Sequence, residues 1–105
     1  MTYKNLDPLL HSQLRLAVMS FLVANGDNDF KQLQNETGAT PGNLSIQLRK
    51  LEEAGYIQIE KTFKNNYQRT VVKITPKGLN AFEQYVDTLQ QYISVKPQNN
   101  KENEN

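Results

Sequence analysis

Apolar residues recur at helical spacing through the first quarter of the chain. Leu10, Leu14, Ala17, Val18 and Phe21 share one side, and Leu9, Leu16 and Val23 form a second stripe. The pattern predicts a helix from about Pro8 to Ala24, opened by Asp7-Pro8 and closed by Asn25-Gly26. Asp27-Asn28-Asp29 is then a polar connection. A short helix, Phe30 to Thr37, turns Phe30 and Leu33 inward and stops at Gly38. After a tight turn, Gly38-Ala39-Thr40, a third helix runs from Pro41 to Ala54 with Leu44, Leu48 and Leu51 on one face, and Gly55 ends it. Asp7-Pro8, Thr40-Pro41 and Thr75-Pro76 repeat one signal. A side-chain oxygen caps free amides, and proline occupies a first helical position whose N–H would be unbonded anyway.

The period then changes from helical to alternating. Tyr56 to Phe63 reads as a half-buried strand, and Tyr67 to Ile74, rich in β-branched residues, as its partner. Lys64-Asn65-Asn66 is the turn, because asparagine tolerates left-handed backbone angles. A last helix begins at Pro76 and reaches about Ile93. Along it Leu79, Phe82, Val86, Leu89 and Ile93 step by three and four, the seam of a coiled coil. From Lys96 onward the chain holds only Pro, Gln, Asn, Lys and Glu, which predicts a disordered polar tail over 96–105.

The 105 residues suit one domain with a modest core, placed at 1–95. No apolar run approaches the roughly 20 residues of a membrane span, and the first residues lack a signal-peptide pattern, so a cytoplasmic protein without membrane contact is expected. With no cysteine and a single histidine, His11, no metal site and no cofactor is expected. Packing or capping is the expected role of His11. No phosphate loop, nucleotide fingerprint or nucleophile motif occurs, which argues against an enzyme. The net charge is only +1, so any case for nucleic acid depends on where the charge sits.

Two short helices joined by a tight turn and followed by a basic hairpin form a helix-turn-helix with a wing. The fold class is therefore α+β, mainly α: a winged helix-turn-helix with a three-helix core, a two-stranded wing and a C-terminal dimerisation helix over about 76–94. With its leucines buried, the third helix turns Gly42, Asn43, Ser45, Ile46, Gln47, Arg49 and Lys50 outward, with Thr40 at its start. Asn and Gln suit adenine edges, Arg suits guanine, and Ile meets a thymine methyl. The bland alternative is a solvated polar face. On the wing, Lys61, Lys64, Asn65, Asn66, Gln68 and Arg69 are placed for phosphate or the minor groove; the alternative is an edge hairpin that lysines protect from aggregation. Leu9, Leu16, Leu79, Phe82, Tyr85, Val86, Leu89, Tyr92 and Ile93 are the candidate dimer contacts, unless the last helix folds back on its own first helix.

The stretch from His11 to Ile74 resembles the small winged-helix transcription regulators of the MarR and ArsR class. Leu14-Arg15-Leu16, the run from Asn43 to Ile57, and Ile74-Thr75-Pro76-Lys77-Gly78 carry the likeness. The resemblance implies a homodimer on palindromic double-stranded DNA, usually a repressor. The Cys or clustered His and acidic ligands of ArsR metal sensors are missing. The chain is also shorter than MarR proteins, whose longer end helices shape a ligand pocket, so a small-molecule effector stays an open question. The competing function is a winged-helix module that binds protein rather than duplex DNA.

Overall fold

The computed structural model describes residues 2–98. Within them the order is α1 (Gln13–Asn25), β1 (Asn28–Asp29), α2 (Phe30–Thr37), α3 (Pro41–Glu53), β2 (Ile57–Lys64), β3 (Tyr67–Ile74) and α4 (Pro76–Ile93). This is the expected winged helix-turn-helix, mainly α with a small antiparallel sheet. Most of the expected disordered tail, residues 99–105, lies outside the described residues.

Three helices start on side-chain caps. Asp29 accepts from the Gln32 amide at 2.8 Å, Thr40 from Asn43 at 3.2 Å, and Thr75 from Gly78 at 2.9 Å. Each such cap is worth about 1 kcal/mol. The first helix departs from expectation. It begins at Gln13, not at Pro8, and Asp7-Pro8 opens a separate single turn in which Leu10 and His11 amides donate to the Asp7 carbonyl. One local and two tertiary hydrogen bonds explain the break. Leu9's carbonyl, which a continuous helix would offer to the Gln13 amide, accepts instead from Arg15 Nε at 2.6 Å. Asp7 Oδ2 accepts from the Tyr56 hydroxyl at 2.6 Å, and His11 Nδ1 shares a 2.8 Å hydrogen bond with the Tyr85 hydroxyl.

The sheet has the order β1-β3-β2. β2 and β3 pair from Ile57↔Ile74 out to Lys64↔Tyr67, so the turn is the two residues Asn65 and Asn66 alone. Their φ values, 53° and 68°, are those of a primed hairpin turn, which matches strand twist. β1 corrects the expected polar connection: Asn28 pairs with Val72 and Asp29 with Val71. Two polar residues carry no alternating pattern, so this edge strand was invisible in the sequence.

The core brings together Val18, Met19 and Leu22 of α1, Leu33 of α2, Leu44, Leu48 and Leu51 of α3, Ile57, Val72, Leu10 and Tyr85. Each large apolar side chain contributes roughly 1.5–3 kcal/mol on burial. The three α3 leucines leave the opposite side of that helix to solvent. Where α3 meets β2, the Gly55 amide donates to Glu52 and the Tyr56 amide to Leu51, with Gly55 at φ 80°. This double bond pattern is a Schellman stop. Thr75 then ties α4 to the same corner: its amide donates to Tyr56's carbonyl at 3.0 Å and its hydroxyl to Gly55's carbonyl at 2.6 Å.

Candidate nucleic-acid interface

α3 projects its polar side because its apolar side is the core. Gly42, Asn43, Ser45, Ile46, Arg49 and Lys50 are exposed, as is the cap Thr40. Ile46, 51% exposed, is the large apolar side chain on this otherwise polar face. Gln47 differs from its neighbours. It is half-buried, its Oε1 accepts from Arg15 Nη1, and its Nε2 donates to Asn43 Oδ1 at 3.0 Å. Arg15 thus reaches α3 from α1, a contact that no sequence signal marked because Arg15 sits among the apolar stripes of the first helix.

The wing lies beside α3. Lys61, Lys64, Asn65, Asn66 and Gln68 are exposed. Arg69 is not free: its Nη2 donates to Asp29 Oδ2 at 3.1 Å, an ion pair that fastens the hairpin to the start of α2. The Gln32 amide, and then the Arg69 guanidinium, hold the Asp29 carboxyl below its ordinary value of 3.8 against the opposing effect of burial. Lys73 pairs with Glu60 at 3.3 Å near the hairpin base. Two aromatic residues at the far end stand clear of the protein, Phe63 at 75% and Tyr67 at 76% exposure. Between α3 and the wing runs an open groove of about 360 Å³, bordered by Ser45, Arg49 and Glu52 on one side and Lys61 and Thr70 on the other. Hydroxyl and cationic donors that suit a phosphate backbone stand on both walls, with the Glu52 carboxylate opposing them on the α3 side.

α4 divides by face. Tyr85 is 4% exposed and faces its own core, which takes it out of the expected dimer contacts. Phe82 and Leu89 are half-buried against the same core, as are Leu9 and Leu16. Leu9 is no part of a helical stripe, since it belongs to the turn before α1. Leu79, Val86, Tyr92 and Ile93 stay exposed. Tyr92 is partly covered by the N-terminal segment: its ring lies 4.9 Å from that of Tyr3, and its hydroxyl donates to the Lys4 carbonyl at 2.6 Å.

Residues 14–93 match the winged helix DNA-binding domain family. The chain belongs to that family. It is a family of transcriptional regulators rather than enzymes. An uncharacterised protein of Methanocaldococcus jannaschii is 32% identical over 78 residues, covering 74% of this chain and 85% of its own. A transcriptional regulator homologue from Pyrococcus horikoshii superposes with a TM-score of 0.78 at 32% identity, covering 82% of this chain and 85% of that one. A protein described as a MarR-family transcriptional regulator of Enterococcus faecalis shares the fold, with a TM-score of 0.67 at 22% identity, over 80% of this chain and 74% of its own. α3 and the β2–β3 hairpin stand in the places that a recognition helix and a wing hold in this fold. Among the described residues no three His, Asp or Glu side chains cluster as a metal site would require, and no helix is long and apolar enough to cross a membrane.

Proposed function

We propose that this winged-helix DNA-binding protein acts as a homodimeric, sequence-specific transcriptional repressor. The observation that carries the proposal is the exposed polar face of α3 beside a wing of exposed lysines and asparagines, on a fold whose family binds DNA. Asn43 and Arg49 are assigned to base edges, Ile46 to a thymine methyl, and Ser45, Lys50, Lys61 and Lys64 to phosphates. Asn65, Asn66 and Gln68 follow the flanking backbone or minor groove. Gln47 acts through Asn43, and Arg69 is held by Asp29 until DNA competes for it. Occlusion of a promoter needs nothing beyond tight binding, which is why repression is assigned.

The dimer is supported by the outer stripe of α4. Leu79, Val86 and Ile93 lie one heptad apart and are 39%, 37% and 64% exposed. Such a stripe suits a second copy of the same helix. The two recognition helices would then meet half-sites about one helical turn of DNA apart. Selection of bound duplexes from a random pool tests this. The expected product is a palindrome with half-sites spaced by about 10 base pairs or a multiple. Recovery of single, unpaired half-sites would contradict the dimer, and recovery of no motif would contradict sequence-specific binding.

A further inference from the structure

We infer that Arg15 sets the base preference of the recognition helix by fixing which way two amide side chains point. The inference rests on the proposed DNA reading of α3 and deepens it. Arg15 stands on α1, half-buried, with Nε held by the Leu9 carbonyl at 2.6 Å. Its Nη1 faces Gln47 Oε1. A guanidinium has donors only and keeps its proton at every relevant pH. The end of Gln47 turned toward it must therefore be the oxygen, because the opposite arrangement would set N–H against N–H. That leaves Gln47 Nε2 to donate to Asn43, at 3.0 Å, and the atom of Asn43 that receives it must be Oδ1. The amide nitrogen of Asn43 is what remains.

Asn43 is exposed in the first turn of α3, where its own backbone amide is held by the Thr40 hydroxyl at 3.2 Å. The helix thus presents N–H donors at this position while the oxygen is engaged within the protein. Guanine offers two acceptors in the major groove, N7 and O6, and is the matching base. Adenine offers one acceptor and one donor, and its donor would have to share the oxygen that Gln47 already occupies. Arg15 is a positioning residue: it touches no base, and it gives α3 a donor polarity that Asn43 alone would not have.

Gln47→Glu tests this by inversion. A carboxylate accepts from Arg15 as before and can no longer donate, so Asn43 turns over, gives Nδ2 to the carboxylate and presents Oδ1 outward. The experiment selects duplexes from a random pool with the intact wild-type chain, Asn43→Ala, Gln47→Glu and Arg15→Gln, and measures relative affinity for all four bases at each position. Asn43→Ala locates the position concerned, where preference should disappear. Wild type should prefer guanine there by roughly 5- to 100-fold. Gln47→Glu should exchange that preference for adenine or cytosine, whose N6 or N4 donates. Arg15→Gln, which can face Gln47 with either end, should relax preference at that one position and leave the salt dependence of binding unchanged. A lost fold cannot create a new base preference, so the exchange separates polarity from mere destabilisation. Duplex binding with the same base chosen by wild type and Gln47→Glu overturns the inference and leaves the DNA reading standing. Absence of any salt-dependent duplex binding removes both.

Discussion

Gly78 shows how much one missing carbon can matter. A Cβ at this buried position would lie 2.1 Å from the Tyr56 carbonyl oxygen and 2.8 Å from its carbon, both backbone atoms that cannot step aside cheaply. Gly78→Ala should therefore push α4 off the corner between α3 and β2 at a cost of about 2–3 kcal/mol, seen as a lowered Tm. A melting temperature equal to wild type would show that this corner is loose. Tyr56 itself gives a pH test. Burial, and then its hydrogen bond to Asp7, push its phenol from 10.0 up to about 12. A phenol raised on folding stabilises the folded state fully below pH 10.0, and that contribution is lost as pH rises toward 12. Ultraviolet titration should find a phenol ionising near pH 12 whose signal is lost in Tyr56→Phe; a titration curve unchanged by the substitution would contradict the buried bond. Asp29 runs the other way: its lowered value adds stability above pH 3.8 that is lost as pH falls through and below it.

Among the elements, the hairpin and the last three helices were legible because each carries local punctuation. Thr40-Pro41, Thr75-Pro76, Gly38 and Gly55 mark ends chemically, and the leucine spacing of α3 names its buried face without any tertiary knowledge. The wing turn is of the same kind: two asparagines supply the two positive φ angles it needs. Asn66→Ala should cost about 1–2 kcal/mol, since alanine meets the full left-handed penalty, whereas Asn66→Gly should be neutral or better. Chemical denaturation of both variants measures this, and equal stability for Ala and Gly would argue against the primed turn. What stayed hidden was mostly tertiary. The break before α1 depends on Arg15, six residues past Leu9 in the same segment, and on Tyr56 and Tyr85 reaching residues 7–11 from elsewhere in the fold. β1 is two polar residues whose pairing only β3 reveals. At the interface, exposure of the α3 face followed from its leucines. The internal engagement of Gln47 and Arg69 did not, because an ion pair or amide bond between distant residues leaves no periodic trace.

At the scale of the molecule, two surfaces are assigned to two partners. The outer stripe of α4 is assigned to a second copy. Val86 is the substitution of choice there: it is exposed in the protomer, whereas Leu89 and Tyr85 belong to the core and would confound folding with assembly. Val86→Asp should leave the protomer folded and shift sedimentation from dimer to monomer at micromolar concentration, because symmetry buries the new charge twice. A wild-type monomer, or a variant dimer of unchanged stability, would refute the assignment. The other surface, α3 with the wing, is assigned to duplex DNA although the whole chain carries a net charge of only +1. Its cations are local, and local cations contacting phosphate release counterions, whose number sets the salt dependence of affinity. The measurement that bears most directly on this assignment is the affinity of wild type and Lys64→Ala for a selected duplex at a series of salt concentrations. Wild type should lose affinity linearly on logarithmic axes, and Lys64→Ala should bind every sequence more weakly with a slope smaller by about two per dimer, one for each copy of the contact. Affinity that is absent, or indifferent to salt, would contradict DNA recognition by this face and leave protein binding as the function of the winged helix.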